Sequence, residues 1–341
     1  PYTTLFRSGG LGGANILVST MMGGVSASNL ADAAMLSRMM VPEMEQKGYS
    51  RGFAAAITAS GSLITPIIPP GIALILYGLV ADVSIGSMFM AGILPGLLCS
   101  AMLIVTVWLV AIRRGLKPSS EHWPKPKEVS VALVQAWPAL FLIVAVIGGI
   151  RANIFTPTEA GAVAVLLVMF IGFVIYRELK ISHVFTALSE TARSTASVML
   201  IIMASAALGW IFSLERAGIT VAEFVTSLTD NKYVFLLIIN LLLLVLGMFL
   251  EGSAILLILV PLLKPVVAHF GIDPVHFGII MILNLSLGTL SPPVGTVMLL
   301  VCNTVQVSVG QFMREAVPLL ISLILLLLVI TYIPAISLLL V

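Results

Sequence analysis

The sequence predicts an all-α, multi-span membrane protein built from inverted structural repeats, with two re-entrant helical hairpins and two proline-broken helices. Three observations lead there. The first is composition: of 341 residues, 60% are hydrophobic and only 9% charged. Soluble globular chains carry about a quarter charged residues, so a soluble fold is excluded and a lipid bilayer becomes the main surroundings. The second is an internal repeat. Sliding the sequence against itself by 223 positions, without a gap, sets Gly24 on Gly247, Ser28 on Glu251, Pro42 on Pro265, Ser50 on Asp273, Pro69-Pro70 on Pro292-Pro293 and Pro95 on Pro318. Four proline matches in one register are hard to obtain by chance. The third is that each copy carries a polar tip and a proline-rich interruption inside apolar sequence.

Taken in order, Pro1 to Ser8 reads as an adaptor-derived scar and is set aside. The natural chain is then expected to begin upstream. Gly9 to Met22 is apolar but too short for a hydrocarbon core that needs about 20 residues. Gly23, Gly24 and the Ser26-Ala27-Ser28-Asn29 run stop it, and Leu30 to Met44 leads back out to a charged turn at Glu43 to Gly48. This is a re-entrant hairpin whose tip must face protein or a watery cavity. Gly52 to Val80 can span, but Thr65-Pro66-Ile67-Ile68-Pro69-Pro70-Gly71 lies in its middle. Proline removes backbone donors and disfavours helix in the residue before it. The span should break there, leaving free carbonyls beside the Ser60, Ser62 and Thr65 hydroxyls.

Met88 to Ile112 is an ordinary span, followed by a loop carrying Arg113, Arg114, Lys117, Lys125 and Lys127. Spans follow at Val131 to Ile150, Ala160 to Tyr176 and Ser194 to Phe212, the second opened by the capping sequence Thr156-Pro157-Thr158-Glu159. Ile181 to Thr191 and Ile219 to Leu228 read as short amphipathic connectors along the interface. Tyr233 to Leu250 and Ser253 to Phe270 form the second hairpin with Glu251-Gly252 at its tip. Pro274 to Val305 is the second broken span, interrupted at Leu287 to Gly295, and Ala316 to Ile336 is the last crossing.

The organisation expected is a first repeat over 9–112, a loop over 113–130, connecting scaffold spans over 131–232 and a second repeat over 233–341. Five crossings separate the hairpins, and an odd number inverts the second repeat. Placing the Arg113 loop in the cytoplasm puts most Lys and Arg on that side, with Arg151, Arg216, Lys232 and Lys264 on the other. Cys99 and Cys302 lie in apolar runs and suggest inert thiols. His269 and His276 fit an interfacial loop better than a metal pair. A net charge of +2, with basic residues confined to loops, gives no nucleic-acid surface.

Inverted repeats with broken helices and hairpin tips near the midplane are the architecture of secondary transporters. The residue types agree, because a hard cation such as Na⁺ wants oxygen ligands. Candidate solute and ion contacts are Ser26, Ser28, Asn29, Asp32, Gly61, Ser62, Thr65 and Pro69 in the first repeat, with Glu251, Ser253, Gly288, Thr289 and Ser291 in the second. Na⁺ would be shared among Ser26, Asn29 and Thr65 on one side and Glu251, Gly288 and Thr289 on the other. Plainer roles compete. Small residues also pack helices, Ser62 or Ser286 can bond back to its own helix, and Asp32 can cap the outgoing hairpin helix. An acid within the membrane is nevertheless a functional candidate by default, and Glu251 at its tip is the stronger one. No nucleotide loop and no nucleophile–base pair is present, which argues against an ATPase and against a membrane-embedded enzyme.

Several of these stretches resemble one family. Gly23-Gly24-Val25-Ser26-Ala27-Ser28 leading to Ala31-Asp32-Ala33-Ala34, then Pro66-Ile67-Ile68-Pro69-Pro70, Phe155-Thr156-Pro157-Thr158-Glu159-Ala160, Gly247-Met248-Phe249-Leu250-Glu251, Gly271-Ile272-Asp273-Pro274 and Ser291-Pro292-Pro293-Val294-Gly295 are similar to the large membrane subunit of tripartite ATP-independent periplasmic (TRAP) transporters. The resemblance implies an elevator-type member of the ion-transporter superfamily in the bacterial inner membrane. It implies Na⁺-coupled import of a carboxylate-bearing solute, such as a C4-dicarboxylate, sialic acid or similar sugar acid. It also implies two partners, a small membrane subunit and a periplasmic solute-binding protein. The sequence departs from the family's pattern at Ala27 and Asn29, where many members have Gly and Ala, and at Glu251, where many have Asp. Family members have further helices before the first hairpin. A stand-alone Na⁺/dicarboxylate symporter of the same superfamily is the competing expectation.

Overall fold

A computed structural model describes residues 9–116 and 126–341, apart from positions 25 and 153. The octapeptide set aside above, Lys117 and Lys125 of the basic loop, and Val25 in the first tip lie outside the described residues. Among the described residues all regular structure is helical. Six helices are long and apolar enough to cross a membrane, and the chain is a multi-span membrane protein.

The first hairpin is α1 (Gly10–Gly23) and α2 (Asn29–Gln46). At 1.5 Å per residue, α1 reaches about 21 Å, short of a hydrocarbon core of about 30 Å. The chain reverses through Ala27, whose φ of 53° is left-handed, and Ser28 then caps α2 by accepting from Ala31 N. The broken span consists of α3 (Arg51–Ser62) and α4 (Ile72–Ala81), and the crossing after it is α5 (Ile85–Arg113). Between α3 and α4 the amides of Leu63, Ile64 and Thr65 donate to the carbonyls of Ser60, Gly61 and Ser62. The carbonyls of these three residues, close to where free ones were expected, are therefore taken up in tight turns. The connecting part holds α6 (Pro126–Arg151), α7 (Pro157–Phe170), α8 (Ile181–Leu214) and α9 (Ala217–Leu228). Thr156 and Glu159 form the expected capping box at the start of α7.

The second half is α10 (Lys232–Phe249) and α11 (Gly252–His269), the broken span α12 (Pro274–Gly288) and α13 (Thr296–Val305), and the crossing α14 (Val309–Tyr332), closed by a short turn, α15 (Ala335–Leu338). Shifted back by 223 positions, α11 coincides with α2. Their caps correspond as well. Ser28 and Glu251 cap the outgoing hairpin helices, Ser50 and Asp273 cap α3 and α12, and Ser84 and Ser308 cap α5 and α14. Packing across the halves is reciprocal: α4 lies on α11 while α13 lies on α2, and α14 lies on α3 while α5 lies on α12. A two-fold relation between the halves produces such an exchange. The most enclosed elements are α3 and α12. Every residue of α3 after Arg51 and every residue of α12 after Pro274 is buried, which Gly52, Ala54 to Ala56 and Gly61 permit by letting neighbours approach closely.

Three expectations are corrected. The connector Ile181 to Thr191 and the span from Ser194 form one uninterrupted helix, α8, of 34 residues. The segment Glu190 to Ser194 is polar but contains neither Gly nor Pro, so nothing stops the helix there. The last crossing runs from Val309 to Tyr332 rather than from Ala316 to Ile336; Ser308 starts it early, and Pro334 prevents it from continuing. His276 is not in an interfacial loop but is buried in α12, with Nδ1 3.2 Å from Ser337 Oγ and Nε2 3.3 Å from the Thr331 carbonyl. The other expected connector, Ile219 to Leu228, lies within α9, which packs along α11 and α8.

Candidate solute site

The two hairpin tips and the two broken spans meet around one cavity of about 150 Å³, lined by residues of all four. Asn29, Ile72, Gly252 and Thr296 lie on its wall, and each is the first residue of its helix, α2, α4, α11 and α13. A helix N-terminus presents unpaired amides and the positive end of the dipole. Four such ends converge here.

They are not alike. Ser28 Oγ accepts from Ala31 N at the start of α2, at 3.3 Å. At the start of α11, Glu251 Oε2 accepts from Ala254 N at 3.1 Å, and its Oε1 accepts from Ser253 Oγ at 2.9 Å. Gly71 and Gly295, which precede α4 and α13, offer no side chain. The first turn of α13 is nevertheless occupied, because Val297 N and Met298 N both donate to the Thr289 carbonyl, at 3.1 and 3.2 Å. Gly295 N also donates to the Met248 carbonyl, which ties this break to its own hairpin. Among the described residues, the first turn of α4 is the N-terminus left open to the cavity. Glu251 is the one charged side chain on the wall, with no Lys, Arg or His.

Of the residues singled out from the sequence, Ser28, Asn29, Glu251, Ser253 and Thr289 line the cavity. Thr289 bonds back to the Ser286 carbonyl at 2.6 Å, and Ser62 to the Ala59 carbonyl at 2.9 Å. Ser26, Asp32, Gly61, Ser62, Thr65, Pro69, Gly288 and Ser291 stand off the wall. Asp32 does not cap α2, since Ser28 does. It is fully buried behind the first tip, accepting from Thr65 Oγ1 at 3.4 Å with the Ser19 hydroxyl close by. Its Oδ1 and the hydroxyls of Ser19, Ser26 and Ser60 are buried without a partner among the described residues. Such orphaned oxygens are costly in a dry interior. Gly288 packs against Gly247 so closely that a Cβ on it would meet the Gly247 backbone, and Pro69-Pro70 and Pro292-Pro293 are both cis.

Sequence reasoning missed Thr296 on the cavity wall and gave Ser286, also on it, only a bond back to its own helix. It also missed a buried string in the second half. Asn284 Nδ2 donates to Asn240 Oδ1 at 2.5 Å, and Asn240 Nδ2 to Thr331 Oγ1 at 3.1 Å. An asparagine inside an apolar run was the available signal for both positions.

An all-helical membrane body whose repeated hairpins and broken spans close on one small cavity, with hydroxyls, an amide and a carboxylate on its wall, defines a permease for a small solute. The comparisons agree. The model of the DctM component of tripartite ATP-independent periplasmic transporters matches residues 6–336. The sialic acid TRAP transporter large permease protein of Vibrio cholerae is 39% identical, over 98% of this chain and 78% of that protein. The 2,3-diketo-L-gulonate TRAP transporter large permease protein of Escherichia coli is 35% identical, over 96% and 77%. The C4-dicarboxylate TRAP transporter large permease protein of Pseudomonas aeruginosa is 34% identical, over 97% and 77%. The chain belongs to the DctM family, the large permease component of TRAP transporters. It is a multi-pass inner-membrane transport protein and not an enzyme.

Proposed function

We propose that the chain carries out Na⁺-coupled secondary import of a carboxylate-bearing organic solute, a C4-dicarboxylate or a sugar acid such as sialic acid. The solute would be delivered by a periplasmic binding protein, and the chain would work beside a small membrane subunit. One observation carries this reading: four helix N-termini, hydroxyls, an amide and one carboxylate surround a cavity with no basic side chain. An anion there is held by amides and dipoles. The open first turn of α4 is its seat, and Glu251, which caps the neighbouring helix α11, repels it unless a cation sits between.

The oxygen set fits Na⁺ in kind. Asp32 with Thr65, Ser19 and Ser26 behind the first tip, and Glu251 with Thr289 at the second, would hold it as hard ligands. The cation would supply the positive charge that the wall lacks. Inversion of the repeats is supported by where the central helices end. Asp82 at the end of α4 shares a cavity with Lys264 of α11, and Gln306 at the end of α13 shares one with Glu45 of α2. The two hairpins and their broken spans would then travel as one body against α6 to α8, exposing the solute to each side in turn.

Uptake by proteoliposomes holding this chain and its small subunit, with the cognate binding protein and a panel of organic acids, tests the reading. Uptake should follow an inward Na⁺ gradient and vanish when choline replaces Na⁺. Equal uptake in both salts removes the coupling. Full uptake without the binding protein removes the tripartite arrangement in favour of a stand-alone symporter.

A further inference from the structure

We propose that a second cavity, between α4 and α11, is a phospholipid site that takes an acyl chain inside and a zwitterionic head group at its mouth. The space measures about 210 Å³ and is walled mainly by Tyr77, Val260, Val267 and Phe277, with Asp82 and Lys264 also on its lining. Its interior asks for no polar guest. The Tyr77 hydroxyl donates to the Pro274 carbonyl at 2.6 Å, and no lining residue is among the buried polar atoms left without a partner. Water in a cavity needs two to four polar partners, so this space favours an apolar occupant. A space of this size, apolar within, accommodates one acyl segment.

The mouth has the opposite character. Asp82 is the C-cap of α4, and Lys264 lies on the last turns of α11, five residues before its end at His269. Both are exposed, and neither forms an ion pair with the other or with any described side chain. Opposite charges on one rim, held apart, match an ammonium and a phosphate carried by one molecule. A fatty acid would leave Asp82 unmatched, and an anionic lipid would be repelled by it. Because α11 is apolar enough to cross a membrane and Lys264 approaches its end, the charged mouth falls where lipid head groups lie.

The repeat-related position at the other end of the molecule serves as an internal control. The space between α2 and α13 is lined by Ser37, Arg38, Glu45, Arg51, Thr304 and Gln306 beside Val41, Pro42 and Val305, with three charged side chains where the first has two at its mouth. It suits an acyl chain less well. A lipid seated only between α4 and α11 therefore joins the first repeat to the second hairpin at one end of the molecule and not at the other. It does so whatever solute the central cavity carries.

Native mass spectrometry of the whole purified chain, titrated with dioleoylphosphatidylethanolamine, tests this, with dioleoylphosphatidylglycerol and oleate titrated in parallel. The unaltered chain should retain one tight phosphatidylethanolamine that Val260→Phe, which fills the cavity, abolishes. Asp82→Asn and Lys264→Gln should each weaken that binding about fivefold, the effect of one charge near a lipid surface, while Arg38→Gln leaves it unchanged. Asp82 has a φ of 60°, a conformation that Asn also tolerates, so that variant keeps its fold even if Val260→Phe does not. Tight binding that survives all three α4 and α11 variants overturns the proposal. So does a preference for oleate that depends on Lys264 alone, which would assign the site to a singly charged amphiphile.

Discussion

Ser28 and Glu251 occupy the same place in the two halves and do the same structural work, each accepting an amide three residues on at the start of an outgoing hairpin helix. They differ in charge. The first half keeps its acid one turn further along, at Asp32, buried and facing Thr65. The second half carries Ile255 at that position and brings its acid to the cavity wall. The caps therefore preserve the hairpin in both halves, while only the second half brings its carboxylate to the cavity wall. A second pair repeats the lesson. Phe53 lies under the Arg114 guanidinium, 4.4 Å from ring centre to carbon, and Arg114 pairs with Glu315 at 2.5 Å. At the equivalent positions of the second half, His276 meets Ser337 instead. The helix ends are fastened at the same point by unrelated chemistry.

The comparison breaks most visibly at the tips. Glu251→Gln keeps a cap but removes the charge at the helix end and the carboxylate proposed to hold the cation. Uptake at limiting Na⁺ should fall about a hundredfold, whereas Ser28→Ala should cost about 1 kcal/mol of stability, the ordinary value of a cap. Equal losses of uptake in the two variants would mean that the halves divide no labour. Next comes the close approach of α10 and α12. Gly288→Ala should destabilise by about 2 kcal/mol, an overpacking cost, seen as a lower unfolding midpoint. Gly61→Ala meets the Ser19 hydroxyl first, at 3.1 Å, and the Ile16 backbone only at an ordinary contact distance of 3.6 Å; the hydroxyl can swing aside, so a midpoint shift as large as that of Gly288→Ala would contradict this packing. A smaller effect is expected at Asn284, whose replacement by Leu leaves Asn240 Oδ1 without its donor and should cost about 1–2 kcal/mol. The double change of Asn240 and Asn284 to Leu should recover part of it, and additive losses would show that the two amides are not coupled. Arg114→Gln is the mildest, below about 1 kcal/mol, because the pair is partly exposed and screened. Its effect should shrink further in high salt.

The parts of the fold that could be read in advance rest on local chemistry. Prolines at 66, 69 and 70 and at 292 and 293, with the glycines around them, mark both breaks, and Thr156 announces a helix start before any packing is known. The course of α8 was hidden because Glu190 to Ser194 looks like a polar boundary, and polarity alone does not end a helix. The cavity was legible at its tips and not at its floor. Ser286 and Thr296 sit in apolar flanks, and only the folding of α12 and α13 against the tips turns them inward. Asp32 shows the converse: its partner Thr65 is 33 residues away, so the sequence offered a cap or a solute contact and not the buried tether that the fold makes.

The unbroken course of α8 sets how the protein sits in its membrane. Thirty-four residues make a rod about 50 Å long, against a hydrocarbon layer of about 30 Å. Either the rod leans steeply or its first turns, with Glu190 and Arg193, stand clear of the oil. Both postures leave slack. A thicker or thinner bilayer can be met by a change of tilt or by drawing polar turns through the head-group layer, at a fraction of a kcal/mol per ångström. The first hairpin has no such slack, because α1, at 14 residues, is shorter than the hydrocarbon layer is thick. A change in bilayer thickness is therefore met more readily at α8 than at the helices that line the cavity.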